Sequence, residues 1–147
     1  MKLNHNKKRK YINIGSLLHF KYGHNPFNAQ TNHHYIQIEI PENMTPPSIA
    51  GAVKQDPSGT WYVEIQTENF TFTPENVGLE ETSYNEGHAH LYLNGKRMNR
   101  MYCQYYNLGK LKKGKYKILV TLNANNHGLY TYEGKPIVYE ETIIIGE

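Results

Sequence analysis

Alternation of apolar and polar residues is the dominant pattern along this chain. In Tyr35–Ile40 the three isoleucines fall on one face, and Trp61–Thr67 repeats the pattern with its large apolar residues in phase. Because successive side chains of a strand point to opposite faces, a period of two predicts strands that are buried on one side. Further predicted strands are Asn69–Thr73, His88–Leu93, Lys96–Tyr102, Tyr116–Leu122, Tyr130–Tyr132 and Ile137–Ile145.

Turn residues separate these segments. Asn94-Gly95 is a strong signal for a two-residue hairpin between the strands on either side of it. Pro41, Pro46 and Pro47 end the first strand and predict an extended loop after it. No long amphipathic helix is present. Seven or eight short strands without helices predict an all-β fold, a single antiparallel β-sandwich.

Length and composition are consistent with one domain. The chain has 147 residues, enough for one hydrophobic core and too few to predict two. Hydrophobic residues make up 38% of it, and tyrosine, with 13 copies, contributes further apolar surface beneath a polar hydroxyl. We therefore predict a sandwich domain over residues 35–147, preceded by a basic leader over residues 1–34.

The charge is unevenly distributed between these two parts. Residues 1–34 contain six positive side chains and no acidic one, whereas residues 35–147 contain ten basic and thirteen acidic residues. A basic tail on a mildly acidic body argues against a nucleic-acid-binding domain, whose basic residues should form a patch on the domain itself. Lys7–Lys10 followed by an interrupted apolar stretch has the order of a secretory signal, so a degenerate signal and a disordered leader are both open.

Three further features of the sequence limit the class of protein. No segment approaches the roughly 20 apolar residues of a transmembrane helix. Cys103 is the single cysteine, which excludes an internal disulfide and fits either redox compartment; we predict that it is buried as a small hydrophobic residue. Since no nucleophile, metalloprotease or phosphate-loop motif occurs, we predict no catalytic residues.

The candidate chemistry lies on the predicted strand before the hairpin. His88 and His90 are two residues apart, so their imidazoles share a face and can converge on one ligand. Two imidazoles on a rigid strand are a suitable start for a transition-metal site, because neutral imidazole binds zinc, copper, iron and nickel.

The hairpin register extends this prediction to the returning strand. A two-residue turn pairs Leu91 with Met98 and His88 with Met101. In that register Met101 lies on the histidine face and is a possible additional ligand. Imidazole with thioether is typical of copper. A bulge in the returning strand would change this pairing.

A set of motifs in the body occurs in a distinctive combination. It comprises Gly87-His88-Ala89-His90-Leu91-Tyr92, Asn94-Gly95-Lys96, Arg100, Tyr102, Thr121-Leu122-Asn123-Ala124-Asn125-Asn126-His127, Trp61-Tyr62-Val63-Glu64-Ile65 and Asn69-Phe70-Thr71-Phe72-Thr73-Pro74-Glu75-Asn76-Val77. Over roughly residues 48–145 the chain resembles an uncharacterised family of small bacterial extracytoplasmic β-sandwich domains. A more distant likeness runs to immunoglobulin-like and cupredoxin-like domains involved in periplasmic copper handling. The resemblance implies an immunoglobulin-like or cupredoxin-like β-sandwich fold and a periplasmic, cell-surface or secreted location.

The resemblance also implies a third ligand. In a related set of domains of unknown function, a His-x-His-Leu strand precedes a lone histidine in a late loop. By this similarity His88, His90 and His127 would be the three imidazoles of one site. An acidic residue is expected before the loop histidine, and Asn126 stands there instead. The resulting hypothesis is a non-catalytic extracytoplasmic module that binds copper or zinc.

A second hypothesis is an interaction module without metal. Tyrosine offers a flat apolar ring with a polar tip, which suits contact with a glycan or a protein partner. Arg100 and Tyr102 allow two interpretations, a structural pair or an anion contact. The tyrosines predicted to be exposed for such contacts are Tyr62, Tyr92, Tyr105, Tyr106, Tyr130 and Tyr132.

Overall fold

The structure is a computed structural model that describes residues 36–81 and 83–146. The predicted leader, with its five histidines, lies outside these ranges. Within them the only helical segment is a 3-10 turn over Pro74–Asn76, and no helix is long and apolar enough to cross a membrane. The strands are β1 (Gln37–Glu39), β2 (Ser48–Gln55), β3 (Trp61–Glu68), β4 (Thr71–Phe72), β5 (Glu86–Leu93), β6 (Lys96–Met101), β7 (Tyr105–Gly109), β8 (Gly114–Asn123), β9 (Leu129–Tyr132), β10 (Lys135–Pro136) and β11 (Val138–Ile145).

The strands form two sheets. The smaller sheet has the order β2-β3-β7. In the larger sheet β5 pairs with β6 and β8, β8 also pairs with β11, and β9 follows β8. The short strands β1 and β10 pair with β9, and β4 pairs with the start of β5. The all-β prediction is confirmed.

Two details of that prediction differ from the structure. The pairs β1–β9 and β4–β5 are parallel, so the sheets are not purely antiparallel. Eleven strands occur in the described ranges, more than the seven or eight predicted. The additional strands include β4 and β10, which have two residues each, too few for alternation to be recognised in the sequence.

One hydrophobic core joins the two sheets. Val63 and Ile65 of β3 are buried together with Leu91 of β5 and Val120 of β8, and all four side chains are at most 1% exposed. Burial of this apolar surface is the main favourable contribution to folding. The packing is sandwich-like and leaves β5 hydrogen-bonded to a neighbour on each side, which fixes its backbone.

Sequence analysis missed two of the three strands in the smaller sheet. β2 lies just after the prolines that predicted an extended loop, and its central small residues hide the alternation. Gly51 is required there because a Cβ atom would lie 2.8 Å from two ring carbons of Tyr139. β7 was missed because its sequence, Tyr-Tyr-Asn-Leu-Gly, has no period of two.

The hairpin between β5 and β6 contains a bulge that changes the predicted register. Leu93 pairs with Lys96 as expected, but the register shifts between Leu91 and Tyr92. Met98 becomes the extra, unpaired residue. The predicted pairing of Leu91 with Met98 is therefore wrong.

The shifted register also corrects the position of Met101. This residue pairs with Ala89, not with His88, and so lies on the core side of the sheet. It is 2% exposed and belongs to the hydrophobic core. The prediction of Met101 as an additional ligand beside the histidines is wrong, because one inserted residue moves every later side chain to the other face.

Candidate metal centre

β5 places His88 and His90 in the middle of the larger sheet, on the face opposite the hydrophobic core. Their side chains are 0% and 3% exposed. Their partners across the ladder to β8 are Asn123 and Thr121, which are also buried. This second face of the sheet is therefore a buried polar surface.

Gly87 brings the start of β5 close to β8. Its φ is +150°, a conformation that residues with side chains rarely adopt. A Cβ atom at this position would overlap the carbonyl oxygen of Asn123. Glycine is therefore needed immediately before His88 for the two strands to meet beside the cluster.

The loop between β8 and β9 supplies His127. The His127 amide donates a hydrogen bond to the carbonyl of Ala124 (2.9 Å), and the Ala124 amide donates to that of Gly128 (2.7 Å). His127 has a φ of +68° at the tip of this tight turn, and its side chain is exposed. Asn126 accepts a hydrogen bond from the Gly128 amide at 3.0 Å. An aspartate could accept the same bond, so this role in the turn does not by itself require asparagine.

The three imidazoles converge. His88 Nε2 lies 2.9 Å from His90 Nε2 and 3.2 Å from His127 Nδ1. One nitrogen from each ring can be chosen so that all three lie within 4.8 Å of one another. All three histidines of residues 35–147 thus come close together, as the resemblance implied.

A shared cation would account for both short contacts of His88 Nε2, whereas hydrogen bonds would not. A ring nitrogen carries either one proton or one lone pair, so His88 Nε2 cannot form a full hydrogen bond to both of its neighbours. Zinc–nitrogen bonds of about 2.0–2.1 Å in a tetrahedron place ligand nitrogens about 3.3 Å apart. The two short separations in the cluster are within a few tenths of an ångström of that value.

The environment keeps the imidazoles neutral. Burial lowers the pKa of His88 to about 4, helped by the charges of His127, Arg100 and Arg97. Burial, followed by the charge of His88, lowers the pKa of His90 to about 3. The pKa of His127 is also lowered, first by partial burial and then by the two arginines. Neutral imidazole is the form that binds a metal ion.

Polar side chains of β8 hold the loop in place. The Thr121 hydroxyl donates to Asn123 Oδ1 (2.6 Å), and Asn123 Nδ2 donates to the carbonyl oxygen of His127 (3.1 Å). Asn123 therefore links the β5–β8 ladder to the third histidine. Sequence analysis did not assign a role to either residue, although both lie in register with His90 and His88.

One atom of the cluster lacks a partner. His88 Nδ1 is buried, and none of the residues that the structure describes offers it a hydrogen bond. Leaving a buried polar atom unpaired costs about 1–3 kcal/mol. The histidine face thus includes a destabilising feature that an apolar residue would not introduce.

Two further predictions are corrected by the structure. Cys103 is exposed, not buried, because the chain leaves β6 two residues earlier; its Sγ lies 3.5 Å from the Tyr105 carbonyl oxygen. Of the six tyrosines predicted to be exposed, Tyr92 and Tyr130 are 7% and 0% exposed. Tyr105 alone among the six is exposed, at 54%, and the other three are half-buried. Tyr92 and Tyr130 therefore do not belong to an exposed tyrosine surface.

No protein-family model, curated protein or solved structure matches the chain. The likeness to extracytoplasmic β-sandwich domains, and the immunoglobulin-like or cupredoxin-like topology, stay predictions. What the fold and the site define is a two-sheet β protein with a three-histidine cluster close enough to hold a metal ion.

Proposed function

We propose that this protein is a metal-binding module that holds one copper or zinc ion through His88, His90 and His127. The observation that carries the proposal is the convergence of one nitrogen from each ring within 4.8 Å. The strand provides two ligands in fixed positions, and the hydrogen-bonded turn provides the third.

The chemistry of the three ligands supports copper or zinc. Within residues 36–81 and 83–146 no carboxylate or thiolate joins the cluster, so the hard cations calcium and magnesium are poor candidates. Neutral imidazole suits copper and zinc, and three such ligands leave a position open for a further ligand. The depressed pKa values keep the ligands deprotonated well below neutral pH, which supports binding over a wide pH range.

We further propose that the module is non-catalytic and extracytoplasmic. Among the described residues the cluster contains no carboxylate, and its three imidazoles would all be bound to the metal, so none of these side chains would be free to take a proton from a bound water. The basic-then-apolar order near residues 7–20 supports export.

Calorimetric titration of the metal-free full chain with Zn²⁺ and with Cu²⁺ tests the proposal. We expect one ion per chain at a tight site that is lost in His88→Ala/His90→Ala and weakened at least tenfold in His127→Ala. Because His127 is exposed, its substitution leaves the core intact, and circular dichroism checks the fold of each variant.

The leader supplies a matched control for this titration. His33→Ala/His34→Ala also removes two adjacent imidazoles, but from residues outside the proposed site. This variant should bind the metal as tightly as the native chain. Indistinguishable heats from the native chain and His88→Ala/His90→Ala would contradict the proposal.

A further inference from the structure

Two arginines of β6 lie beside the histidine cluster. Arg97 lies opposite Tyr92, and the bulge beyond it places Arg100 opposite His90, so both arginines lie on the histidine face of the sheet. Arg100 Nη1 lies 3.5 Å from the Tyr102 hydroxyl, and the Tyr102 and His88 ring centroids are 6.4 Å apart. The charges of both arginines act on all three imidazoles.

The positive charge of this region is not balanced. The ion pairs found in residues 36–81 and 83–146 are Lys54–Glu64 and Lys117–Glu140, and neither arginine takes part in one. Three neutral imidazoles bring no negative charge to a metal ion. A divalent cation would therefore join two guanidinium groups without an anionic group in the cluster to compensate.

The contact between Arg100 and Tyr102 leaves other N–H donors of the guanidinium available. At 3.5 Å it is long for a hydrogen bond, and a guanidinium has five N–H donors. Arg100 is half-buried, while Tyr102 is 41% exposed and His127 is exposed. The donors of Arg100 thus lie at the rim where the histidine cluster reaches solvent.

We infer that a small oxyanion binds at the cluster together with the metal ion, with one oxygen on the metal and another on Arg100. This inference rests on the proposed metal site. The anion replaces water at the position left open by three histidines, and its charge offsets that of the metal and the arginines. A carboxylate has two oxygens, one for the metal ion and one for a charge-assisted hydrogen bond from Arg100, and phosphate is a related oxyanion.

Acetate and phosphate titrations of the Co²⁺-loaded full chain test the inference. Cobalt(II) has visible absorption that zinc lacks, so replacement of water by an oxyanion changes the spectrum. We expect a saturable change with acetate or phosphate and none with chloride at equal ionic strength. Arg100→Gln should weaken oxyanion binding about tenfold or more, the effect of losing a charged hydrogen bond. Lys110→Gln removes one positive charge from an exposed loop and should leave the affinity unchanged.

A second readout separates this role from a structural one. Without oxyanion, Arg100→Gln should bind Co²⁺ more tightly than the native chain, because a positive charge beside the cation is removed. Opposite changes in metal and oxyanion affinity are not expected from a loss of packing. Equal oxyanion affinities for the native chain and Arg100→Gln, or a chloride response like that of acetate, would overturn the inference while leaving the metal site intact. Absence of Co²⁺ binding would instead remove the proposed function itself.

Discussion

The two faces of β5 and β8 are equally buried and chemically opposite. Leu91 and Val120 on the core face are both 0% exposed, and His88 and Thr121 on the other face are 0% and 1% exposed. Among the described residues, no group on the core face lacks a partner, since its apolar side chains need only contact with β3. The histidine face is incomplete, since His88 has one nitrogen without a partner and another shared between two rings. Burial alone therefore does not distinguish the two faces of this sheet, whereas the satisfaction of polar atoms does.

The largest effect is expected on the core face. Leu91→Ala should lower the free energy of unfolding by about 2–5 kcal/mol, because the cavity adds to the lost burial. Urea unfolding with and without Zn²⁺ measures this loss. Since Leu91 points away from the histidines, the stabilisation that Zn²⁺ provides should be the same in the variant and the native chain. A variant that folds but is no longer stabilised by Zn²⁺ would show that the two faces are not independent.

The histidine face should instead respond to pH. In the metal-free chain the pKa of His88 is lowered to about 4 and that of His90 to about 3, whereas both return to near 6.5 on unfolding. Below pH 6.5 the unfolded chain therefore binds more protons, and stability falls as the pH falls towards 4. We expect a loss of about 1 kcal/mol for each of the two histidines between pH 6 and 5.

Urea unfolding at pH 6 and 5 in the presence of a chelator measures that loss. Two carboxyl groups with lowered pKa, Asp56 and Glu64, titrate below this window and do not obscure it. In His88→Leu/His90→Leu most of the dependence should disappear, and the lowered pKa of His127 should leave only a smaller remainder. A native chain with equal stability at both pH values would show that the two imidazoles are not buried in neutral form.

Much of this comparison could be predicted from the sequence. The period-two pattern gave the all-β class, and the His-x-His spacing correctly placed both imidazoles on one face of β5. The meeting with His127 followed from resemblance alone, because no local pattern relates a strand to a turn that lies 37 residues after His90.

The errors have one local cause and one long-range cause. No glycine or turn motif in the sequence marks the bulge opposite Leu91 and Tyr92. The bulge nevertheless places Met101 in the core and Arg100 on the histidine face. Burial of Tyr130 depends on which strands pair with β9 and what packs over them, which are long-range contacts. Local periodicity cannot show either of these.

The smallest predicted effect is a gain in the stability of the metal-free chain that accompanies a loss of metal binding. His88→Leu/His90→Leu replaces two buried imidazoles with apolar side chains of similar size and removes the unpartnered nitrogen. We expect the metal-free variant to be about 1 kcal/mol more stable than the native chain at pH 7, and to gain nothing from Zn²⁺. His127→Asn is the matched control: it changes an exposed residue, and asparagine tolerates the φ of +68° at this position, so the metal-free stability should stay within about 0.5 kcal/mol while stabilisation by Zn²⁺ is weakened. A double variant that is several kcal/mol less stable than the native chain would mean that the histidines are retained for packing.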